Sequence, residues 1–117
     1  MSLTSNSTET PLASGDTFTG NWELVKSFVA VSVSCKADTA ITVSVEHSAN
    51  GSDADHTDIY TASAGKALFK QVVLKAKYCR VKVWNNGDNQ TYLRLYSKLL
   101  SNSQPDEMNV RLDAEND

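Results

Sequence analysis

Apolar residues recur at every second position in four separate runs of this chain, and that period of two constrains the fold more than any other feature. Val29, Val31, Val33 and Cys35 alternate with Ser32 and Ser34, and Ile41, Val43 and Val45 alternate with Thr42, Ser44 and Glu46. The same rhythm returns in Tyr78 to Trp84 and in Thr91 to Leu99, where Leu93, Leu95 and Leu99 share one side. Successive side chains of a strand point to opposite faces, so each run describes a strand with one buried face. No apolar stripe of helical period runs beyond two turns in the body of the chain, so helix is expected to be scarce.

Between the runs lie turn residues: Asp38-Thr39, the loop Ser48 to His56 with Asn50-Gly51, Ser63-Ala64-Gly65, and Asn85-Asn86-Gly87-Asp88. Weaker strands are expected at Ile59 to Ala62 and Ala67 to Leu74. Seven or eight short strands with a turn about every ten residues predict an all-β chain, a single antiparallel β-sandwich or jelly roll. The nearest pair, Val29 to Cys35 and Ile41 to Val45, reads as a hairpin. Phe18 and Trp22 are the first large core candidates, and Val31, Val33, Ile41, Val43, Val81, Val83, Leu93 and Leu95 should form the core.

With 117 residues, 40% of them hydrophobic, the chain suits one domain. Residues 1–10 are rich in Ser, Thr and Asn and are expected as an N-terminal arm; residues 11–100 form the domain; residues 101–117 form an acidic tail. No apolar run reaches the roughly 18 residues of a membrane span, and Met1 to Asn6 lacks the basic start of a secretory signal. A soluble protein made in the cytoplasm, without membrane contact, is the expectation.

Charge is unevenly spread behind a net value of −3. The tail holds Asp106, Glu107, Asp113, Glu115 and Asp117 against Arg111, while no carboxylate occurs between Asp58 and Asp88. Within that gap Lys75, Lys77, Arg80 and Lys82 are candidates to face an acidic partner; a pI near 5.3 argues against nucleic acid. In the tail, Met108, Val110 and Leu112 alternate with polar residues and suit an arm that adds as a strand to a neighbouring sheet.

Chemistry-bearing patterns are sparse. Cys35 and Cys79 stand in phase with core valines and are expected as buried, reduced thiols. Asp53, Asp55 and Asp58 invite a calcium reading, but their spacing is not that of an EF-hand loop. His47 and His56 have no third ligand nearby that suggests zinc, and exposed or capping roles are expected. Neither a nucleophile elbow nor a Gly-rich phosphate loop occurs, so no catalytic residue, metal or cofactor is assigned and the chain reads as a non-enzyme. The outward phase of the last two strong strands presents Arg80, Lys82, Trp84, Tyr92, Arg94, Tyr96 and Lys98. Rings beside cations suit either a subunit interface or a sugar-stacking face, with Trp84, Tyr92, Arg94 and Tyr96 as its residues.

Several short motifs resemble those of a known group. Gly15-x-x-Phe18-x-Gly20-x-Trp22, a Val/Ser strand, Glu46-His47-Ser48 followed by Asn50-Gly51, and Tyr78-x-Arg80-Val81-x-Val83 before a Leu-rich last strand are similar to small β-sandwich virion proteins of tailed bacteriophages and other large viruses. The resemblance covers about Leu12 to Leu100. It implies a non-enzymatic structural component of the virion, a head decoration, head fibre or tail-associated module. Such a protein would form a homo-oligomer, with a trimer as the first expectation, and attach to major capsid or tail proteins. A carbohydrate-binding or receptor-binding module with a glycan as partner is the alternative.

Overall fold

The computed structural model describes residues 5–101. These form eight strands: β1 (Thr17–Thr19), β2 (Glu23–Leu24), β3 (Phe28–Ala37), β4 (Ile41–Ser48), β5 (His56–Ala62), β6 (Leu68–Val73), β7 (Tyr78–Asn85) and β8 (Leu93–Ser101). All pair antiparallel, in two sheets. One sheet runs β1-β7-β4-β5 with β2 on the same edge of β7 as β1; the other runs β6-β3-β8. The chain is an all-β sandwich, as the alternation predicts.

The inward faces meet in one core of Val31, Val33, Cys35, Ala37, Ile41, Val43, Val45, Leu68, Val72, Val81, Val83, Leu93 and Leu95. All eight residues expected in the core belong to it. Val29 does not: the pairing of β3 with β8 slips between Phe28 and Ala30, and Val29 is 44% exposed. A bulge of this kind adds a residue to one strand and breaks the inward–outward phase beyond it. Phe18 packs against the core, whereas Trp22 lies beneath the Arg80 guanidinium, 4.3 Å from its ring centre.

β3 and β4 are not a hairpin. They belong to opposite sheets, and residues 38–40 carry the chain across the core between them. Asp38 accepts from the Thr91 amide and hydroxyl, and the Thr39 hydroxyl donates to Asn85 Oδ1 at 2.7 Å. Asn85 is fully buried. Its amide faces the carbonyls of Leu12, Ala13 and Asp88, and its Oδ1 also accepts from the Gly87 amide. Gln90 extends this network by donating to the Thr39 hydroxyl and accepting from the Leu12 amide.

The N-terminal segment, expected as an arm, is tied to both sheets from Asn6 onward. Thr8 exchanges two backbone hydrogen bonds with Leu95, covering the edge of β8. Between β1 and β2 the chain leaves the edge of β7, which deprives the Val81 amide of a strand partner; Asn6 Oδ1 accepts that bond at 2.7 Å. Asn6 is 1% exposed, and its amide donates to the Asn21 carbonyl and to Glu23. Gly20 makes room for it, since a Cβ there would stand 2.0 Å from Asn6 Oδ1.

Cys35 and Cys79 are free, 2% and 1% exposed, on opposite sheets. Burial pushes the Cys35 thiol up to about 12 and the Cys79 thiol up to about 11, the latter with a further contribution from Glu23. The thiolate is the reactive form. Native protein at pH 8 should therefore resist a thiol reagent that labels both cysteines once denaturant is added; fast native labelling would contradict the strand phases.

Candidate functional site

A cluster of titratable side chains sits where β4 ends and β5 begins. Residues His47, His56 and Asp58 share the inward phase of these paired strands, with His47 opposite His56. His47, expected to be exposed or capping, is fully buried. Its Nε2 is 2.8 Å from Asp58 Oδ2, and its Nδ1 accepts from the Lys75 amide at 3.4 Å, an arrangement that fits the neutral ring protonated at Nε2. Asp58 also meets His56 at 3.2 Å and Lys75 Nζ at 3.0 Å.

Burial disfavours the imidazolium and holds His47 below its usual range, against the opposing pull of Asp58. Burial alone would raise Asp58, but hydrogen bonds from Lys75, His47 and His56 outweigh it and hold the carboxyl at about 2. Both groups bind fewer protons folded than unfolded, so both favour the fold at higher pH. The His47 contribution should be lost as pH falls below about 6.5, and that of Asp58 between about 4 and 2. Melting temperature should drop between pH 7 and pH 5, and His47→Gln should flatten that slope; an unchanged slope would sink the assignment to His47.

The three aspartates of the calcium reading go to different partners. Asp53 accepts from the Asn50 amide group, Asp55 from the Ala49 backbone, and Asp58 from the cluster above. Asn50 Oδ1 caps Ser52 and Asp53 while Gly51 takes φ +77°, the positive value that an Asn-Gly turn supplies. The described residues contain no group of three or more side chains suited to a metal.

The cations of the candidate acidic-partner face are engaged separately. Lys75 pairs with Asp58, Arg80 donates to Glu46 at 2.6 Å, Lys82 approaches Glu46 at 3.6 Å, and Lys77 lines a depression of about 560 Å³ with Leu24 and Phe28. Lys75 and Lys77 belong to the connection between β6 and β7, while Arg80 and Lys82 stand on the outer face of β7. Met108, Val110 and Leu112 lie outside the described residues.

The ring-and-cation surface divides into two. β7 and β8 belong to different sheets, so Trp84 is on one outer face and Tyr92, Arg94, Tyr96 and Lys98 are on the side of the other. Trp84, 51% exposed, stands in a row with Thr17 and Thr42, beside Ile59, which is 64% exposed. With Ser44, Thr57 and Lys82 they wall a depression of about 300 Å³. On the other sheet Arg94 stacks 5.2 Å from the Tyr92 ring centre, and the Tyr96 hydroxyl donates to Glu9, which raises the phenol above its usual range. Phe69, 74% exposed, and Ser34 join Tyr96 in one cross-strand row. Sequence reasoning missed Phe69, whose neighbours Leu68 and Lys70 break the clean alternation of the other strands.

Taken together, these features define a two-sheet antiparallel β-sandwich with aromatic and apolar side chains standing on both outer faces. The chain belongs to the family described as the uncharacterised protein YqxG N-terminal domain, which matches residues 1–100. No curated protein matches it. Among solved structures it is similar to the PBSX exported protein XepA, with a TM-score of 0.77 at 20% identity over 83% of this chain and 36% of that one. The chain thus spans about a third of the length of XepA. A second similarity, to PirA, has a TM-score of 0.54 at 12% identity over 81% of this chain and 95% of that one. At these identities the likeness is one of fold.

Proposed function

We propose that the chain is a non-enzymatic structural component of a phage particle that associates with copies of itself and attaches to a capsid or tail surface. The observation that carries this reading is the exposure of Phe69, Val73, Ile59 and Trp84 at 74%, 65%, 64% and 51%, spread over both sheets. Large apolar side chains standing on sheet faces are a cost to a solitary domain and an asset to an assembling one. The fold shared with the PBSX exported protein XepA supports the phage setting. The buried polar groups His47, Asn85, Gln90 and Asn6 each serve a backbone contact within the fold, which supports the non-enzymatic reading.

Self-association is assigned to the outer face around Trp84 and Ile59, where indole and aliphatic surface adjoin a polar rim of threonine and serine hydroxyls with Lys82 and Glu46, the apolar centre and polar rim of a subunit contact. Light scattering on the full chain at tens of micromolar should report an oligomer, and co-sedimentation with tailed phage particles should retain it. The Trp84→Ala, Ile59→Ser double variant should elute as a folded monomer. A monomeric wild type that ignores particles would overturn the proposal.

A further inference from the structure

Strand order gives the two sheets different charge. β3, β6 and β8 contain no Asp or Glu but hold Lys36, Lys70, Arg94 and Lys98. The other sheet holds Glu23, Glu46 and Asp58, and its cations Arg80 and Lys82 pair with Glu46. Lys36 is far in the chain from Arg94 and Lys98, which share β8, and only strand pairing brings it beside them.

On the outer face of the three-stranded sheet the cross-strand register sets three of its cations, Lys36, Arg94 and Lys98, around a row of rings, while Lys70 shares the inward phase of Val33 and lies over the Tyr60 ring. Phe69, Ser34 and Tyr96 are neighbours in one row, Lys36 and Arg94 stand together two residues along on one side, and Ser32 and Lys98 two residues along on the other. Ser34 is too short to fill the space between two rings, which leaves a depression of about 240 Å³ lined also by Lys36 and Arg94. Two carboxylates border the face without pairing with its cations: Glu9 accepts from the Tyr96 hydroxyl and Asp38 from the Thr91 amide and hydroxyl. Lys36, Arg94 and Lys98 make no ion pair among the described residues.

We infer that this face binds an acidic carbohydrate, with pyranose rings lying against Phe69 and Tyr96 and a carboxylate or phosphate substituent held by Arg94 and Lys36. Aromatic faces accept the apolar side of a sugar ring, and guanidinium matches a planar or tetrahedral anion with two donors. Along β8 the order Arg94, Tyr96, Lys98 alternates cation, ring, cation at intervals of roughly 6.8 Å, twice the rise per residue of a strand. The two cations thus stand roughly 13.6 Å apart, four times that rise, so an acidic polymer with a sugar ring on Tyr96 meets a cation on either side. A polynucleotide is the poorer match, because its binding rests on neutralising many phosphates, and this face offers three outward cations on a chain of net charge −3.

Titration of the full chain with polygalacturonate tests the inference, with dextran, a single-stranded oligothymidylate and vesicles of phosphatidylglycerol as the other arms. Saturable binding of polygalacturonate that weakens with added salt is expected, with no saturation by dextran. Arg94→Gln and Phe69→Ser should each weaken it about tenfold or more, by loss of a charge-assisted contact and of a ring. Both residues are exposed, so both variants should melt as wild type does. Asn86→Ala, exposed just beyond β7 of the opposite sheet, should bind unchanged. Absence of saturable polygalacturonate binding, equal binding by Arg94→Gln, or tighter binding of the oligothymidylate or the vesicles would each overturn the assignment.

Discussion

Leu93→Ala should lower the melting temperature by about 10 °C or more. Leu93 is 1% exposed and pairs with Ala37 at the end of β3, where the chain turns to cross between the sheets. Truncating a buried leucine costs about 2–5 kcal/mol through lost transfer energy and the cavity left behind. The small Ala37 opposite offers little to collapse into that space, which favours the upper part of the range. Each kcal/mol moves the melting point of a domain of this size by roughly 4–8 °C, and total stability is about 5–15 kcal/mol. A thermal scan at neutral pH checks this; Arg94→Gln, an outward neighbour on the same strand, provides the comparison and should shift little. Equal melting of both variants would mean that the inward face of β8 has been misassigned.

Asn85→Asp should destabilise the fold by a comparable amount, again lowering the melting temperature by about 10 °C or more. The Asn85 amide nitrogen faces three carbonyl oxygens, of Leu12 and Ala13 at 3.1 Å and of Asp88 at 2.7 Å. A carboxylate there removes the donors and sets a buried negative charge against those oxygens. Breaking a buried polar network in this way costs on the order of 3–5 kcal/mol, because the charge has no partner and the carbonyls lose theirs. Asn86→Ala next door should stay within about 0.5 kcal/mol, since Asn86 is exposed and bonds only the Thr42 hydroxyl through its side chain. Soluble yield, far-ultraviolet circular dichroism and melting temperature measure the contrast. Similar behaviour of the two variants would refute the role given to Asn85.

These two asparagines show the limit of sequence reasoning in this chain. Asn85-Asn86-Gly87-Asp88 reads as a turn, and it is one, but the identity of the buried member depends on what the crossover loop and the Leu12–Ala13 segment bring to it. The same holds for Asn6. Its segment is polar enough to read as an arm, and nothing local reveals that the Val81 amide, 75 residues away, lacks a strand partner.

The period of two determined, by itself, which faces of β3, β4, β7 and β8 turn inward, and therefore the all-β class, eight core residues and the burial of both cysteines. The reason is geometric: alternation is a local property of an extended chain, and a sheet in water must hide its apolar side. What alternation leaves open is partnership. A valine-lined strand buries the same face whether the next strand lies beside it or across the core from it, so the hairpin expected of β3 and β4 and the arch observed leave the same trace in the sequence. Register and strand order alone then placed Trp84 and Tyr96 on opposite sheets, buried His47 against Asp58, and drew Lys36, Phe69 and Arg94 together from three distant strands. Those contacts arise from long-range pairing, which single-chain periodicity does not encode.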